Sequence, residues 1–150
     1  MMNRHSCWIF FAAILLVSTL VSAGRVQAVE TIHHSTLSSL AEEGDANAQW
    51  MMGQSFLNPG AAADDAAQAF RWFRRAADQG HPLAQRDLAT LYELGRGVEK
   101  NLHEAFFWYS LASRQDSGRA RLQRDGLTSS LSTDEQEAVL ARVRTWRPTR

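Results

Sequence analysis

An internal repeat at an offset of 36 residues constrains this chain more than any other feature. NAQWMMGQSFLNPGAAADDAAQAFRWFRRAADQG, Asn47 to Gly80, lies without gaps over LAQRDLATLYELGRGVEKNLHEAFFWYSLASRQD, Leu83 to Asp116. Ala48 then meets Ala84, Gln49 meets Gln85, Met52 meets Leu88 and Phe56 meets Tyr92. Further on, Ala69 meets Ala105, Trp72 meets Trp108, Phe73 meets Tyr109 and Ala76 meets Ala112. A period of this length marks a stacked architecture, because one unit cannot bury its apolar surface alone and its neighbours complete the core. The same offset carries Ala84 to Ala120, where SGRARLQRDG begins a third copy. It carries Trp72-Phe73 back to Thr36-Leu37, the end of an earlier one.

Within each copy the apolar spacing is helical. Ala48, Met52, Ser55 and Phe56 recur at i, i+4, i+7, i+8, as do Ala84, Leu88, Leu91 and Tyr92. Ala69, Trp72, Phe73, Ala76 and Ala105, Trp108, Tyr109, Ala112 give a second stripe. Two amphipathic helices per copy predict an all-α superhelix, a short solenoid of antiparallel helix pairs. Local signals set the helix ends. Asp45 and Asp65 are expected N-caps, Pro82 a first-turn residue, and Asn101 with Glu104 a capping box. Gly44, Gly80, Gly95 and Gly126 are expected left-handed stops. The last helix is expected to start at Ser132, with Glu135 at the box position, and to bury Val139, Leu140, Val143 and Trp146 before Pro148 stops it. Small residues at 48, 69, 76, 84, 105 and 112 let helices approach closely, and the aromatics fill the wedge between pairs.

The stretch AQRDLATLYELGRGVEKNLHEAFFWYSLAS resembles a Sel-one-like repeat, a relative of the tetratricopeptide repeat. Copy two fits at Ala84, Leu88, Tyr92, Gly95, Gly97, Val98, Ala105, Trp108, Tyr109 and Ala112; copy one fits at Ala48, Gly53, Phe56, Ala69, Trp72, Phe73, Ala76, Ala77 and Gly80. The sequence departs from the pattern at Ala89, where glycine is usual, and at Asn101, where an acidic cap is usual. Copy one also has Asn58-Pro59-Gly60-Ala61 in place of Gly-x-Gly-Val. The resemblance implies a helix-pair fold and an adaptor or scaffold that binds other proteins. Exported bacterial members of the family are often accessory factors of envelope processes.

The first 28 residues read separately. Arg4 precedes the apolar run Trp8 to Val21, and small-residue sites follow at Val21-Ser22-Ala23 and Val26-Gln27-Ala28. Cleavage is expected after Ala28; the alternatives are cleavage after Ala23 and retention as a membrane anchor. The sole cysteine, Cys7, lies ahead of that run, so the exported chain would hold itself by apolar burial without disulfides. The expected organisation is a signal peptide over 1–28, a partial repeat helix over 29–44, repeats over 45–80 and 81–116, and capping helices over 117–150. The expected location is a bacterial periplasm.

Catalytic chemistry finds little support in the residues. The Gly95-x-Gly97 pair follows a helical stripe rather than a strand and lacks both a third glycine and a Lys-Ser/Thr pair, so it reads as a turn and not a phosphate cradle. His33, His34, His81 and His103 show no metal-ligand spacing, Ser129-Ser130 lie outside a nucleophile motif, and neither cofactor nor metal is expected. The expected binding surface lies opposite the core stripe of the first helices: Gln49, Trp50 and Gln54 in copy one, Gln85, Arg86 and Thr90 in copy two, with Glu93. Trp50 is about 200° around the helix from Ala48, so it either anchors a partner or packs under Leu37 and Leu40. Phe107, where copy one has Arg71, is either exposed or buried against the cap.

Charge is uneven along the chain. Val29 to Ser113 holds 6 Lys/Arg against 11 Asp/Glu, and Arg114 to Arg150 holds 8 against 5. This polarity suits an acidic partner or self-association, or is a solvated arginine-rich cap. The leading expectation is a non-enzymatic exported adaptor that binds a protein or peptide of the cell envelope through Trp50, Gln54, Arg86, Thr90 and Glu93, with no nucleic acid and with membrane contact only through an uncleaved signal. The alternatives are an accessory factor or enzyme acting on cell-wall glycan, and a self-assembling structural subunit.

Overall fold

Four of the helices begin where a polar side chain captures a free amide. Asp45 accepts from the Ala48 N–H at 2.7 Å and opens α2 (Ala46–Ser55). At the equivalent position of the next copy, His81 Nδ1 accepts from the Ala84 N–H at 3.1 Å and opens α4 (Pro82–Leu94), with Pro82 in its first turn. Asn101 opens α5 (Leu102–Ala112), and Ser132 opens α7 (Thr133–Thr145) with a complete capping box to Glu135. The remaining elements of this computed structural model are α1 (residues 35–42), α3 (Ala63–Asp78), α6 (Arg119–Gly126) and a 3-10 turn, Thr128–Ser130. The structure describes residues 35–57, 63–115 and 118–149. The expected signal segment 1–28, the first part of the partial repeat helix expected over 29–44 with His33 and His34, and the whole Asn58–Ala61 turn lie outside them.

Among the described residues every regular element is helical, and α2 packs on α3, α3 on α4 and α4 on α5, with α5 packing on both α6 and α7. The stripe positions are buried as expected: Ala48, Met52, Ala69, Trp72, Phe73 and Ala76 in copy one, and Ala84, Leu88, Leu91, Tyr92, Ala105, Trp108, Tyr109 and Ala112 in copy two. Phe56 packs at the edge of the core, and Ser55 is exposed. Helix α5 is apolar all round because α4, α6 and α7 enclose it; Phe107 is buried, with the Arg142 guanidinium 4.5 Å from its ring centroid. Leu127, Leu131, Val139 and Val143 extend the core into the cap, with Leu140 and Trp146 packed against it.

Two glutamines carry the repeat into hydrogen bonding and correct an expectation. Gln49 and Gln85 are buried rather than on the outer face. Each donates to a backbone carbonyl eight residues earlier, Gln49 Nε2 to Ala41 O at 3.0 Å and Gln85 Nε2 to Ala77 O at 3.2 Å, pinning a first helix to the end of the helix before it. The loops repeat as well: Gln79 Nε2 reaches Gly44 O, and Gln115 Nε2 reaches Gly80 O, 36 residues later in both partners.

Three boundary expectations fail for local reasons. Asp65 lies inside α3 instead of capping it, in a first turn where Asp64 and Asp65 complement the positive helix end. Gly126 is the last residue of α6 and lacks the positive φ found at Gly44, Gly80, Gly95 and Gly97. Asn101 accepts from the Glu104 N–H, but the Glu104 carboxylate pairs with Arg142 on α7 at 2.8 Å and the Asn101 N–H goes to Tyr92 O, so the box closes on one side only.

Gly53 explains where the copies differ. A Cβ there would press into the ring of fully buried Phe73, whereas copy two carries Ala89 at this position. Gly53→Ala is expected to cost about 1 kcal/mol net, overpacking of about 1–3 kcal/mol being partly offset by helix propensity of up to about 1 kcal/mol. A lower urea midpoint at an unchanged slope is the check.

Candidate protein-binding face

The outward rows of α2, α4 and α6 follow the same offset, so that Trp50, Arg86 and Leu122 are equivalent, as are Gln54, Thr90 and Gly126. Arg86, Asp87, Thr90 and Glu93 share one face of α4 at i, i+1, i+4 and i+7. The structure brings the five expected residues into two hydrogen-bonded groups on this face, each organised by a residue that the sequence did not single out for it.

The first group centres on Asp87. Its Oδ2 accepts from Trp50 Nε1 at 2.9 Å and from Gln54 Nε2 at 2.6 Å, and its Oδ1 accepts from Arg86 Nε at 2.9 Å and Nη2 at 2.8 Å. The Trp50 indole also stacks on His81, with ring centroids 5.6 Å apart and 23° between planes. Trp50 therefore packs on the following repeat and not under Leu37, which belongs to a separate cluster with Ala41, Ala48, Met52 and Trp72.

The second group centres on the Tyr109 hydroxyl. It donates to Glu93 Oε2 at 2.7 Å and accepts from Gln123 Nε2 at 3.0 Å, with Thr90 Oγ1 at 2.9 Å. Burial pushes the phenol well above its ordinary range, so it stays protonated and keeps donating to Glu93. Copy one cannot build this group, because Phe73 lacks the hydroxyl and Leu57 stands in the place of Glu93. The Phe-to-Tyr change between the copies was the signal available in the sequence; its partners, from α4 and α6, were not. Beside these groups Met51 and Leu94 are about half exposed, and Leu122, in the row of Trp50 and Arg86, is 74% exposed.

His81 joins cap and face. Its Nδ1 accepts from the Ala84 N–H, so Nε2 carries the proton and donates to Asn47 Oδ1 at 2.9 Å. Burial lowers its pKa below the ordinary 6.5, against the opposing pull of Asp87 and Asp45. The unfolded chain then takes up the proton more readily, so this contribution to stability is complete above pH 6.5 and is lost as pH falls through the depressed folded value. The melting temperature is expected to fall from pH 7.5 to pH 5, and His81→Asn, which keeps a neutral cap, should flatten part of that fall. Equal slopes in the two proteins would remove His81 as the cause.

Among the described residues no group of three or more His, Cys, Asp and Glu side chains could hold a metal, and no helix is long and apolar enough to cross a membrane. Residues 46–81 and 82–117 each match the Sel1 repeat. The chain carries two Sel1 repeats. Sel1 repeat proteins generally mediate protein–protein interaction, and the family is typically made of non-catalytic scaffolds. One relative is the chitin synthase regulator SKT5 of Saccharomyces cerevisiae, 37% identical over 76 residues, covering 49% of this chain and 11% of that protein. Among solved structures, c5321, a protective antigen present in uropathogenic Escherichia coli strains and displaying an SLR fold, matches with a TM-score of 0.67 at 27% identity. That match spans 73% of this chain and 24% of that one, so this chain represents a minor part of either relative's length.

Proposed function

We propose that this Sel1-repeat chain is an exported, non-enzymatic adaptor of the bacterial envelope that binds a protein or peptide along the outward face of α2, α4 and α6. The observation that carries the reading is the pairing of a fixed polar row with exposed apolar side chains. Asp87 and the Tyr109 hydroxyl hold Trp50, Gln54, Arg86, Thr90 and Glu93 in place, so little side-chain entropy is lost on binding. Met51 and Leu122 remain exposed beside them as anchors. The chitin synthase regulator among its relatives is in keeping with a regulatory partner rather than with catalysis by the repeats. Export rests on the apolar run Trp8 to Val21 and the small residues that follow it.

Met51→Glu and Leu122→Glu change only exposed side chains and test the face without disturbing either hydrogen-bonded group. Immobilised protein should retain a discrete partner from an envelope extract, and the double variant should lose it. Unchanged capture by a folded double variant would exclude this face, and release of soluble fragments from purified peptidoglycan would overturn the non-enzymatic reading.

A further inference from the structure

Two clefts of opposite charge adjoin at Gln79. The first, about 620 Å³, is lined by Arg114, Arg144 and Arg147 with Trp146 and Leu111, and no carboxylate is among its lining residues. The second, about 580 Å³, is lined by Glu42, Glu43 and Asp78, with Arg75 as the one cation in its lining. Arg75 pairs with Glu42 at 3.1 Å and Asp78 pairs with Arg74 at 3.0 Å, so Glu43 is the carboxylate of this cleft with no ion pair among the described residues. Between them runs the segment after α7, fixed where the Thr149 N–H donates to Asp78 O at 2.8 Å and where Trp146 and Pro148 lie against Gly80.

The guanidiniums are positioned in advance. Arg114 Nη1 donates to Val143 O at 3.3 Å, and Arg147 Nη1 donates to Trp146 O at 2.7 Å and Arg144 O at 3.2 Å, so both serve the carbonyl end of α7. That duty leaves Arg144 unexplained: it is exposed and has no carboxylate within ion-pair distance among the described residues. Across the segment, Glu43 is exposed, with a contact to Ser39 on its own helix.

We propose that a second copy of this chain docks on this edge about a two-fold axis near Gln79, setting the arginine cleft of each copy over the carboxylate cleft of the other. A positive and a negative patch side by side are self-complementary under a two-fold rotation, which makes both contacts at once and closes the assembly at two. Trp146 and Pro148, at the centre, supply the apolar contact that the charges orient. The edge uses residues other than those of the α2, α4 and α6 face, so the pairing goes beyond the adaptor reading and leaves that face open in both copies. Because the charges are exposed, the pairing is weak and screened by salt.

Sedimentation equilibrium tests the pairing on the whole chain. The protein is expected to approach the mass of a dimer at high concentration in low salt and to return to a monomer in roughly 0.5 M NaCl, where the Debye length falls to a few ångströms. The double variant Arg144→Glu with Arg147→Glu should be monomeric, as should Glu42→Arg with Glu43→Arg. An equimolar mixture of the two should regain the dimer mass, because the reversed charges face one another again; this recovery separates a charge effect from misfolding. A monomer under all conditions, pairing that either variant leaves unchanged, or failure of the mixture to recover would overturn the proposal. Masses that climb beyond two would overturn the closed two-fold arrangement in favour of an open chain.

Discussion

Gly97→Ala is expected to lose about 3 kcal/mol of stability, the sum of about 1–2 for holding a side chain in the left-handed region and about 1–3 for overpacking. Gly97 has φ +69°, and a Cβ there would meet the backbone of Ala66 and Ala67 at the start of α3, which cannot move aside as a side-chain tip can. Gly95 is the internal comparison. Its φ is nearly the same, +67°, but its added Cβ would meet Lys100 of its own turn, the Cβ at 3.2 Å and the backbone nitrogen at 3.5 Å, a much milder contact. Gly95→Ala should therefore cost about 1–2 kcal/mol, the conformational part alone. Thermal and urea unfolding of the two variants give the ordering, with Gly97→Ala lowering the melting temperature by roughly 10 °C. Equal losses would mean that the turn does not press on the preceding repeat.

This pair shows what the sequence could reveal. That Gly95 stops a helix, with its N–H and that of Arg96 both returning to Leu91 O, follows from a glycine after an apolar stripe. That Gly97 seats the turn against α3 is invisible locally, because the backbone it touches is 31 residues away in the chain. The same division runs through the molecule. The stripes, the caps at Asp45, Asn101 and Ser132 and the paired helices follow from spacing within about ten residues, and the structure has them. Gln49 and Gln85 were misplaced because a helical wheel turns them away from Ala48 and Ala84, yet a preceding helix lies there and offers a carbonyl. His81 carries no cap expectation from the sequence, because Ser, Thr, Asp and Asn are the usual caps, yet its ring acceptor does the same work. On the candidate face, the helical wheel turned Trp50, Gln54, Arg86, Thr90 and Glu93 off the core stripe; of these Gln54 is exposed and the other four are half-buried against neighbouring helices. The carboxylate and hydroxyl that lock them together needed the register between α2, α4, α5 and α6.

Asp87→Ala is expected to cost about 2–3 kcal/mol, because one carboxylate serves donors from both α2 and α4 and hydrogen bonds to a charged group contribute about 1.5–3 kcal/mol each without adding fully. Its removal leaves the Arg86 guanidinium, whose side chain is 19% exposed, with no carboxylate beside it, and frees the Trp50 indole and the Gln54 amide. Alanine's better helix propensity returns roughly 0.5 kcal/mol of the loss. Asp87→Asn keeps an acceptor for Trp50 but turns an amide toward Arg86, so it should fall between the parent and the alanine variant. The decisive measurement is a double-mutant cycle with Trp50→Phe, which removes the indole N–H and keeps an aromatic ring against His81. A coupling of about 1 kcal/mol would make the Trp50–Asp87 contact a strut between the repeats, and additive losses would reduce it to two residues that lie side by side. Coupling of that size also bears on function. For the proposed adaptor face, aromatic and guanidinium groups held by their own scaffold would bind with little reorganisation, so on that reading partner affinity and the stability of the repeat interface should fall together in Asp87→Ala.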